Sequence, residues 1–492
     1  MSPAYPVTMP GGRTLLAIAA AALVSFVAAG SMAASSAAES RQPSRITVAG
    51  IREHLVALQR IADRNGGNRF AGTAGYDASA RYVATRMRAA GYRVRLQEFR
   101  FPFVADRSPP VLRAPGTERF RANRDFGTLL YSGSGAVEAP VVAVDLLLPS
   151  PSTNASTSGC EAADFGSFPR GAVALLQRGS CRFRQKVENA AAAGAGAVVV
   201  MNEGNPGRRG LFQATLGSPQ VSIPALAASV EAGDVLRNGR VSGPTGVTVT
   251  LRADVVAETR RTRNVIAESR AGNPANLVVA GAHLDSVDRG PGSNDNGSGS
   301  ALVLEVAESL AGTRPANRLR FVWWGGEELG LLGSRHYVAQ LSPAELRRHA
   351  LYLNFDMVGS KNFVPFVYEG SGNGSAAPPP GSAAIERVFT RYFAARGQRV
   401  QSTGLGGGSD HAPFAQAGIP VGGLFTGADE DKSAAQRDAF GGQAGEPYDA
   451  CYHRSCDTLA NVDVALATRL ARAAAFTVAH FARDVSAVRR AG

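Results

Sequence analysis

Lysine is almost absent from this chain of 492 residues. Its 52 basic residues include lysine only at Lys186, Lys361 and Lys432, and the arginines are spread among 40 acidic residues along most of the sequence. The net charge of +12 is therefore not gathered into a stripe or an arm. Proteins that bind nucleic acid concentrate their basic residues in that way. The distribution of charge thus argues against a nucleic-acid partner, although the total is basic.

Cysteine is also scarce. The four cysteines do not have the spacing of a zinc knuckle, which argues against a structural zinc site built from thiolates. Four cysteines permit three pairings, and sequence separation favours Cys160 with Cys181 and Cys451 with Cys456. Because disulfides persist in oxidising compartments, we expect both pairs to be structural bridges of an exported protein.

Long apolar runs are lacking except near the N-terminus. Arg13 precedes the run LLAIAAAALVSFVAAG, and Ser31-Met32-Ala33 offers small residues for cleavage, a combination typical of secretory signal peptides. The run is near the lower length limit for a membrane span, so an uncleaved anchor is the alternative. We expect residues 1–33 to be a signal peptide and residues 34–47 a spacer or short propeptide. The mature protein would be secreted or periplasmic, without a membrane span.

Histidine is missing from a long middle segment, residues 124–251. This segment is rich in Gly, Ala, Val and Pro, with short apolar runs such as APVVAVDLLL, GAVALLQRG, AGAVVVMN and SIPALAAS around one helical stretch, CRFRQKVENAAAAGA. We expect a smaller β-rich domain here, without catalytic groups. It would be inserted between two parts of one larger domain, residues 48–123 and residues 252–492.

The larger domain has the pattern of an α/β fold. The strand candidates RNVIAES, NLVVAGA, RLRFVWW, ALYLNF and IPVGGLF alternate with helical stretches such as SGSALVLEVAESLAG. This alternation predicts a mostly parallel, mixed sheet flanked by helices.

Polar residues follow these strands at the point where each strand ends. His283 follows NLVVAGA, the pair Glu327-Glu328 follows RFVWWGG, and Asp356 follows ALYLNF. Ligands of open α/β sheets bind outside the carboxyl ends of the strands. Asp295 lies in the loop after NLVVAGA, and His453 lies in CYHRSCD. The expected converging set is therefore His283, Asp295, Glu327, Glu328, Asp356 and His453.

Such a set suits zinc, which binds through imidazole nitrogen and carboxylate oxygen. Many acids in one crevice repel one another unless cations neutralise them, and one carboxylate can bridge two metals, as in two-metal hydrolases. One member of the Glu327-Glu328 pair could then bind metal while the other serves as general base. Taken singly, each residue also fits a structural role, such as a turn or a helix cap. Their joint position after successive strands favours the metal site.

The segments HLDSV…GSNDNGSGSA, WWGGEELGLLGS, NFDMVG, SDHAPF…GIPVGGLFTG and CYHRSCDTL resemble the secreted bacterial di-zinc aminopeptidases of metallopeptidase family twenty-eight, of the Streptomyces leucine aminopeptidase type. The resemblance covers essentially everything from Ile51 to the C-terminus apart from the middle segment. That segment, with LLQRGSCRFRQKVENAAAAGAGAVVVMN, resembles a protease-associated domain. The resemblance implies a zinc exopeptidase fold and a monomeric enzyme acting on peptide or protein N-termini with two zinc ions.

The resemblance also implies a role for each site residue. One zinc would be held by His283 and Asp356, the other by Glu328 and His453, and Asp295 would bridge the two.

Outside this ligand set, the resemblance makes Glu327 the general base and Tyr452 a hydroxyl donor to the oxyanion, while Asp285 would orient the imidazole of His283. Met357 and Phe425 would line an apolar pocket, so the residue removed is expected to be large and apolar.

One position departs from the pattern. Gly408 stands where the Streptomyces enzymes have an arginine that helps to shape the site around the substrate's amino end. We expect its absence to loosen or enlarge the pocket.

The remaining polar residues receive no catalytic role. His411 is expected to support its loop, Asp288 to lie in a turn and Glu305 to lie on an ordinary helix face. The other histidines are expected on helical stretches, namely His54, His336, His349 and His480.

Three alternatives remain. A carboxypeptidase or dipeptidase on the same fold would recognise a terminal carboxylate through arginines, and no arginine in the five motifs is placed to do so. A glutaminyl cyclase binds a single zinc and lacks the complete ligand set that this chain has. A non-catalytic binding protein of the same fold would have lost metal ligands, and none is lost here.

The inserted segment is structural filler, a protein-interaction module, or a lid that restricts access to short or unstructured peptides. Of these we favour the lid. If it is a lid, deleting residues 124–251 should change the relative rates at which dipeptides and long peptides are cleaved. Unchanged cleavage of both classes would exclude a lid.

Overall fold

The computed structural model describes residues 46–212, 214–217, 220–372 and 377–490. The expected signal peptide therefore lies outside the described residues. No helix among the described residues is long and apolar enough to cross a membrane. The chain forms two compact units, one comprising the described residues up to Gln97 together with those from Arg263 onward, the other comprising Glu98–Thr262.

Two helices open the first unit, α1 (Val48–Arg64) and α2 (Ala74–Ala89). Each begins after a threonine whose hydroxyl accepts a backbone N–H of the first turn, Thr47 for α1 and Thr73 for α2. Such caps satisfy N–H groups that have no partner within the helix and typically contribute about 1 kcal/mol each. The strand β1 (Arg93–Arg113) then leads from the first unit into the second.

The second unit is built on a run of strands in mixed orientation. Its elements are β2 (Phe126–Thr128), β3 (Gly135–Ala143), β4 (Val173–Gln177), α3 (Phe183–Ala192), β5 (Ala197–Met201), β6 (Ala225–Ala228), α4 (Val230–Arg237) and β7 (Gly243–Glu268). The last residues of β7 belong to the first unit. The strand order is β7-β3-β4-β5-β6-β2, parallel from β3 to β6 and antiparallel at both ends. The four predicted apolar runs lie on β3, β4, β5 and β6, and α4 is a helix that the sequence analysis did not anticipate.

The expected insertion, residues 124–251, falls within this second unit, which extends further at both ends. Cys160 and Cys181 form a disulfide here, with their Cα atoms 5.8 Å apart, as sequence separation predicts. The domain boundaries themselves stay a prediction.

The first unit continues with alternating strands and helices. These are β8 (Asn273–His283), α5 (Gly297–Ser309), β9 (Asn317–Trp324), α6 (Leu332–Ala339), α7 (Pro343–Arg348), β10 (His349–Phe355), β11 (Phe366–Tyr368), α8 (Ser382–Ala394), β12 (Gln401–Thr403), α9 (His411–Gln416), β13 (Val421–Phe425), α10 (Ala434–Phe440), α11 (Val464–Arg483) and α12 (Ser486–Arg489).

Its sheet has the strand order β12-β11-β13-β10-β8-β9-β7. The central strands β13, β10, β8 and β9 are parallel, whereas β7 and β11 pair antiparallel with their neighbours β9 and β13. Every residue of β10 is buried, as expected for a central parallel strand covered on both faces. The predicted mostly parallel, mixed sheet flanked by helices is confirmed.

Helix α5 is buried in the core, and its first turn lies against the carboxyl end of β10. A Cβ at Gly299 would lie 2.2 Å from the carbonyl oxygen of Phe355, so only glycine lets the first turn of α5 approach the end of β10. The side of α5 that carries Glu305 is also buried, and its carboxylate accepts the backbone N–H of Thr47. Glu305 lies on a helix, as expected, but its face of the helix is buried because α1 packs against it.

The histidines outside the converging set are buried or partly buried. His349 is the first residue of β10 rather than part of a helix, and its ring nitrogen Nε2 lies 2.7 Å from the hydroxyl of Tyr337. Burial lowers the pKa of His349 to about 4, so this imidazole is neutral. Asp288 lies in an exposed turn, as expected.

Candidate active site

Three adjacent parallel strands deliver the expected polar residues to one edge of the sheet. His283 is the last residue of β8, and Asp356 directly follows β10. Glu327 and Glu328 follow β9 after a two-glycine turn in which Gly326 has a positive φ of 76°. Because parallel strands end at the same edge, these side chains meet although they are far apart in sequence.

Asp295 lies between two pairs of side chains. Its Oδ1 atom is 3.2 Å from Nε2 of His283, which is 3.3 Å from Oδ1 of Asp356. Its Oδ2 atom is 3.2 Å from Nε2 of His453, which is 3.0 Å from Oε2 of Glu328. Two atoms bound to one tetrahedral zinc at about 2.1 Å lie about 3.4 Å apart. The two oxygens of one carboxylate thus face two separate groups, each with the spacing of zinc ligands.

Burial and charge set the protonation of this cluster. Burial, and next the charge of Asp295, raise the pKa of Glu328 to about 7. Burial alone would lower the pKa of His453, but hydrogen bonds to Asp295 and Glu328 raise it to about 10. Burial likewise opposes the charge on His283, yet Asp356 and Glu327 raise its pKa well above the usual value. The grouped carboxylates are therefore stabilised by positive charge between them.

Two buried oxygen atoms fit a bound cation in particular. Among the described residues, neither Oδ1 of Asp356 nor Oε1 of Glu328 has a hydrogen-bond partner. A buried carboxylate oxygen without a partner is costly unless a proton or a metal satisfies it. The donor set, imidazole nitrogen and carboxylate oxygen without thiolate, is one that zinc accepts. The residues present therefore fit bound zinc.

A cavity of about 560 Å³ opens over these residues. Its wall includes Met357 and Phe425, which give it apolar surface, and Tyr452 beside the His453 group. Gly408 also lines it, and apart from Gly408 and its two chain neighbours no atom of the described residues lies within 4 Å of the place where a Cβ would stand. The cavity is therefore open at Gly408, the position at which the arginine of the Streptomyces enzymes is absent.

The ring of Tyr452 stacks on the ring of His453, with centroids 3.8 Å apart. Burial, and next the charge of Asp295, raise the pKa of Tyr452 above its usual value, so its hydroxyl keeps the proton that it would donate. Cys451 and Cys456 flank this pair and form a disulfide with Cα atoms 5.3 Å apart, the second pairing that the sequence predicts.

The fold and geometry agree with the comparisons to known proteins. Residues 264–478 match the family described as Peptidase family M28, and residues 137–236 match the PA domain. An aminopeptidase of Pseudomonas aeruginosa is 47% identical over 427 residues, which are 86% of this chain and 78% of that protein. The chain belongs to peptidase family M28.

Further similarities extend over nearly the whole M28 peptidase. A probable lipoprotein aminopeptidase of Mycobacterium tuberculosis is 40% identical over 453 residues, 90% of this chain and 86% of that protein. The structure of an aminopeptidase from Aneurinibacillus sp. strain AM-1 aligns with a TM-score of 0.67 and 26% identity, over 89% of this chain and 95% of that one. BSAP, a zinc aminopeptidase from Bacillus subtilis, aligns with a TM-score of 0.63 and 25% identity, over 89% and 96%. The protein is a metallo-aminopeptidase that carries a PA domain.

Asp457 of this M28 peptidase holds the Asp295 loop, a role that the sequence analysis missed. Its two carboxylate oxygens accept the backbone N–H groups of Asn294 and Asp295, each at 2.9 Å. Asn461 donates to the same carboxylate at 3.0 Å. The residue lies in the quoted motif CYHRSCDTL, so proximity to His453 was the available signal.

Arg69 was also missed. Its guanidinium is fully buried and donates to the backbone carbonyls of Pro291 at 3.0 Å, of Gly292 at 2.6 Å and of Leu284. It thereby fixes the loop that connects His283 to Asp295. No local pattern in NRFAGTAGY distinguishes this arginine from the many others, because its partners lie more than two hundred residues away in sequence.

Asp285 contacts the site differently from the expectation. The ring nitrogen Nδ1 of His283 lies 3.1 Å from the backbone carbonyl of Asp285 and 3.8 Å from its carboxylate. The carboxylate instead accepts the backbone N–H groups of Glu327 at 3.2 Å and Glu328 at 3.3 Å. Asp285 therefore orients the imidazole through its main chain and positions the two glutamates through its side chain.

The SDH motif supports Asp356 from the other side. The hydroxyl of Ser409 donates to Oδ2 of Asp356 at 2.6 Å and accepts from the amide of Asn354 at 2.8 Å. His411 contacts the backbone carbonyl of Leu405 through Nε2. His411, the first residue of α9, thus holds the loop that precedes it, and it also lines the cavity.

Asp457→Asn should weaken the metal site without removing any of its expected ligands. An amide offers one acceptor oxygen to two backbone N–H groups, so the Asp295 loop loses a hydrogen bond and gains a repulsive contact. We expect a loss of about 10- to 100-fold in zinc affinity or in kcat/KM, the range for groups that orient metal ligands. Zinc retention during dialysis and peptidase rates would measure it. Asp438→Asn is the control, because Asp438 is exposed and pairs with its neighbour Arg437; an equal loss in both variants would contradict this role.

Zinc uptake by the metal-depleted M28 peptidase should release protons near neutral pH. With a pKa of about 10, the imidazole of His453 is charged at neutral pH, and it must become neutral to bind metal. Zinc affinity should therefore rise with pH through the neutral range. Calorimetric titrations in buffers of different ionisation enthalpy would count the released protons. A heat of binding independent of the buffer would show that the histidines are already neutral.

Proposed function

We propose that this M28 peptidase is an exported enzyme that uses two zinc ions to remove a large, apolar N-terminal residue from peptides. One observation carries the proposal: the two oxygens of Asp295 face one histidine and one carboxylate each. The expected ligands are His283 and Asp356 for one ion, Glu328 and His453 for the other, and Asp295 for both. Ions bound there would supply Lewis acidity, which lowers the pKa of a water molecule and polarises the peptide carbonyl.

Glu327 is the proposed general base. It neighbours the metal ligand Glu328, and its carboxylate lies within 4.8 Å of ligand atoms of His283 and Asp356. Burial, and next the charges of Asp410 and Asp356, raise the pKa of Glu327 well above the usual value, against the effect of His283. A carboxylate of raised pKa accepts a proton from the attacking water and can return it to the leaving amine.

Tyr452 is the proposed donor to the oxyanion. Its hydroxyl is held at the cavity wall by ring stacking on His453 and by the disulfide that encloses both residues. A donor fixed where negative charge develops stabilises the transition state more than the ground state.

The cavity also supports a choice of substrate end and side chain. Carboxylates surround the reacting centre, which favours the free α-amino group of an N-terminal residue. Met357 and Phe425 offer apolar contact to its side chain, and the open space at Gly408 leaves room for a large one. An acetylated N-terminus has no charge to offer and should not be cleaved.

Export is supported by three independent features. The N-terminal sequence has the pattern of a signal peptide, both cysteine pairs form disulfides, and a relative is named a lipoprotein aminopeptidase.

One observation favours the alternative of a dipeptidase or carboxypeptidase. Arg335, outside the five motifs, is exposed and lines the same cavity. A guanidinium there could bind the terminal carboxylate of a short substrate. If so, cleavage would require a free carboxylate on the substrate, and Arg335→Ala would abolish cleavage.

A panel of leucine substrates separates these functions. The aminopeptidase should cleave leucyl-nitroanilide, which has no carboxylate, and should leave the N-acetylated form intact. Chelation should remove this activity and zinc should restore it. Cleavage of the acetylated substrate, or cleavage that requires a free carboxylate, would overturn the proposal.

Glu327→Gln should lower kcat by about 10²- to 10⁴-fold, because the amide cannot accept the proton. Its zinc content should stay that of the wild type, since Glu327 is not among the five expected ligands. Glu430→Gln is the matched control, because Glu430 is exposed on the wall of the same cavity. Near-normal kcat in Glu327→Gln would assign the base to another group.

A further inference from the structure

A second cluster of side chains of the types that can hold a metal ion lies where α1 packs on α5. It consists of His54 on α1 and of Glu305 and Glu308 on α5, and we name it the α1–α5 cluster. Glu305 is nine residues along α5 from Asn296, which corresponds to about 14 Å of helix. The α1–α5 cluster is therefore separate from the site at Asp295.

Three atoms of the α1–α5 cluster converge. Nε2 of His54 is 3.7 Å from Oε2 of Glu305 and 3.8 Å from Oε2 of Glu308. The side chain of His54 is 1% exposed and those of Glu305 and Glu308 are 10% and 23% exposed, so the cluster is closed on the His54 side and reachable past Glu308.

The outward atom of each side chain is already held by another group. Nδ1 of His54 is 2.8 Å from the hydroxyl of Tyr82. Oε1 of Glu305 accepts the N–H of Thr47 at 3.1 Å. Oε1 of Glu308 accepts Nε of Arg86 at 2.8 Å. Metal-binding histidines and carboxylates are typically oriented by hydrogen bonds of this kind.

Hydrogen bonding does not explain why Nε2 of His54 lies between the two carboxylates. Separations of 3.7 and 3.8 Å are too long for a hydrogen bond from Nε2, and among the described residues this atom has no other partner. If Nδ1 donates its proton to Tyr82, the lone pair of Nε2 faces two carboxylates, an arrangement that needs a cation between them.

The local charge favours a cation as well. The acidic groups are Glu305, Glu308 and Glu53. If His54 is neutral, Arg86 is the one basic side chain among the described residues that pairs with them, contacting Glu308 and Glu53. The second Arg86 contact, Nη2 to Oε2 of Glu308 at 2.8 Å, leaves that oxygen one further lone pair. Three negative charges thus meet one positive charge.

We propose that the α1–α5 cluster is a further binding site for a divalent cation, with zinc as the ion that suits one imidazole and two carboxylates. Ligand atoms of a tetrahedral zinc lie about 3.4 Å apart, so inward shifts of a few tenths of an ångström would complete the site, with water as fourth ligand. The ion would link the first helix of the unit to the buried helix that begins beside Asp295. This ion would be bound in addition to those in the active site, whatever their number.

Zinc stoichiometry tests the proposal. The full-length mature protein and two variants, His54→Gln and Glu305→Gln, would be equilibrated with buffered free zinc, and bound metal would be counted by mass spectrometry. Both variants should bind one equivalent less than the wild type, with peptidase activity unchanged because neither residue lines the catalytic cavity. His336→Gln, on α6, is the matched control and should keep the wild-type count.

A second measurement covers the case in which a variant is destabilised. Zinc added to protein whose active site is already loaded should raise the unfolding temperature of the wild type and of His336→Gln, but not of Glu305→Gln. Equal zinc counts in wild type and both variants, or an equal thermal response in Glu305→Gln, would show that the cluster is an ion-pair network around a protonated His54 and would overturn the proposal.

Discussion

Repulsion among carboxylates at the carboxyl edge of the sheet is the constraint on which the rest of the site depends. Asp295 and Glu328 keep only 6% and 4% of their side-chain surface exposed, and Asp356 keeps 12%. Two like charges about 4 Å apart repel by about 4 kcal/mol where the effective dielectric constant is that of a protein surface. Repulsion of this size is a large fraction of the stability of an ordinary domain. Only bound protons or cations offset this repulsion, and a metallopeptidase can bind both.

The chain resists this repulsion with groups drawn from distant parts of the sequence. Arg69 holds the loop between His283 and Asp295 by donating to three backbone carbonyls, and Asp457 holds Asp295 by accepting two backbone N–H groups. Asp285 does the same for the turn that carries the two glutamates. The loops that carry Asp295 and Glu328 are thus fixed through their main chains, which leaves these two side chains to face the metal positions. Asp356 is instead held through its side chain by the hydroxyl of Ser409.

The site around Asp295 and the α1–α5 cluster contain the same types of side chain but differ in geometry. Ligand atoms around Asp295 are 3.0 to 3.3 Å apart and open to a cavity, whereas those of the α1–α5 cluster are 3.7 and 3.8 Å apart and have α1 packed over them. A substrate can reach the first arrangement. The side chains of the second are largely buried between α1 and α5, so an ion held there would act on the packing of helices rather than on a peptide bond.

The sequence by itself determined the alternating strands and helices, both cysteine pairs, and the residues that end β8, β9 and β10. These features are local, because apolar periodicity reports each strand and parallel strands end at one edge. Only the tertiary structure decided that Arg69 lies under the Asp295 loop, that Arg335 reaches the cavity and that Glu305 faces His54. Each of these contacts joins elements that are distant in sequence. The path of the loops and the packing of α1 on α5 bring them together, and no local pattern encodes that path.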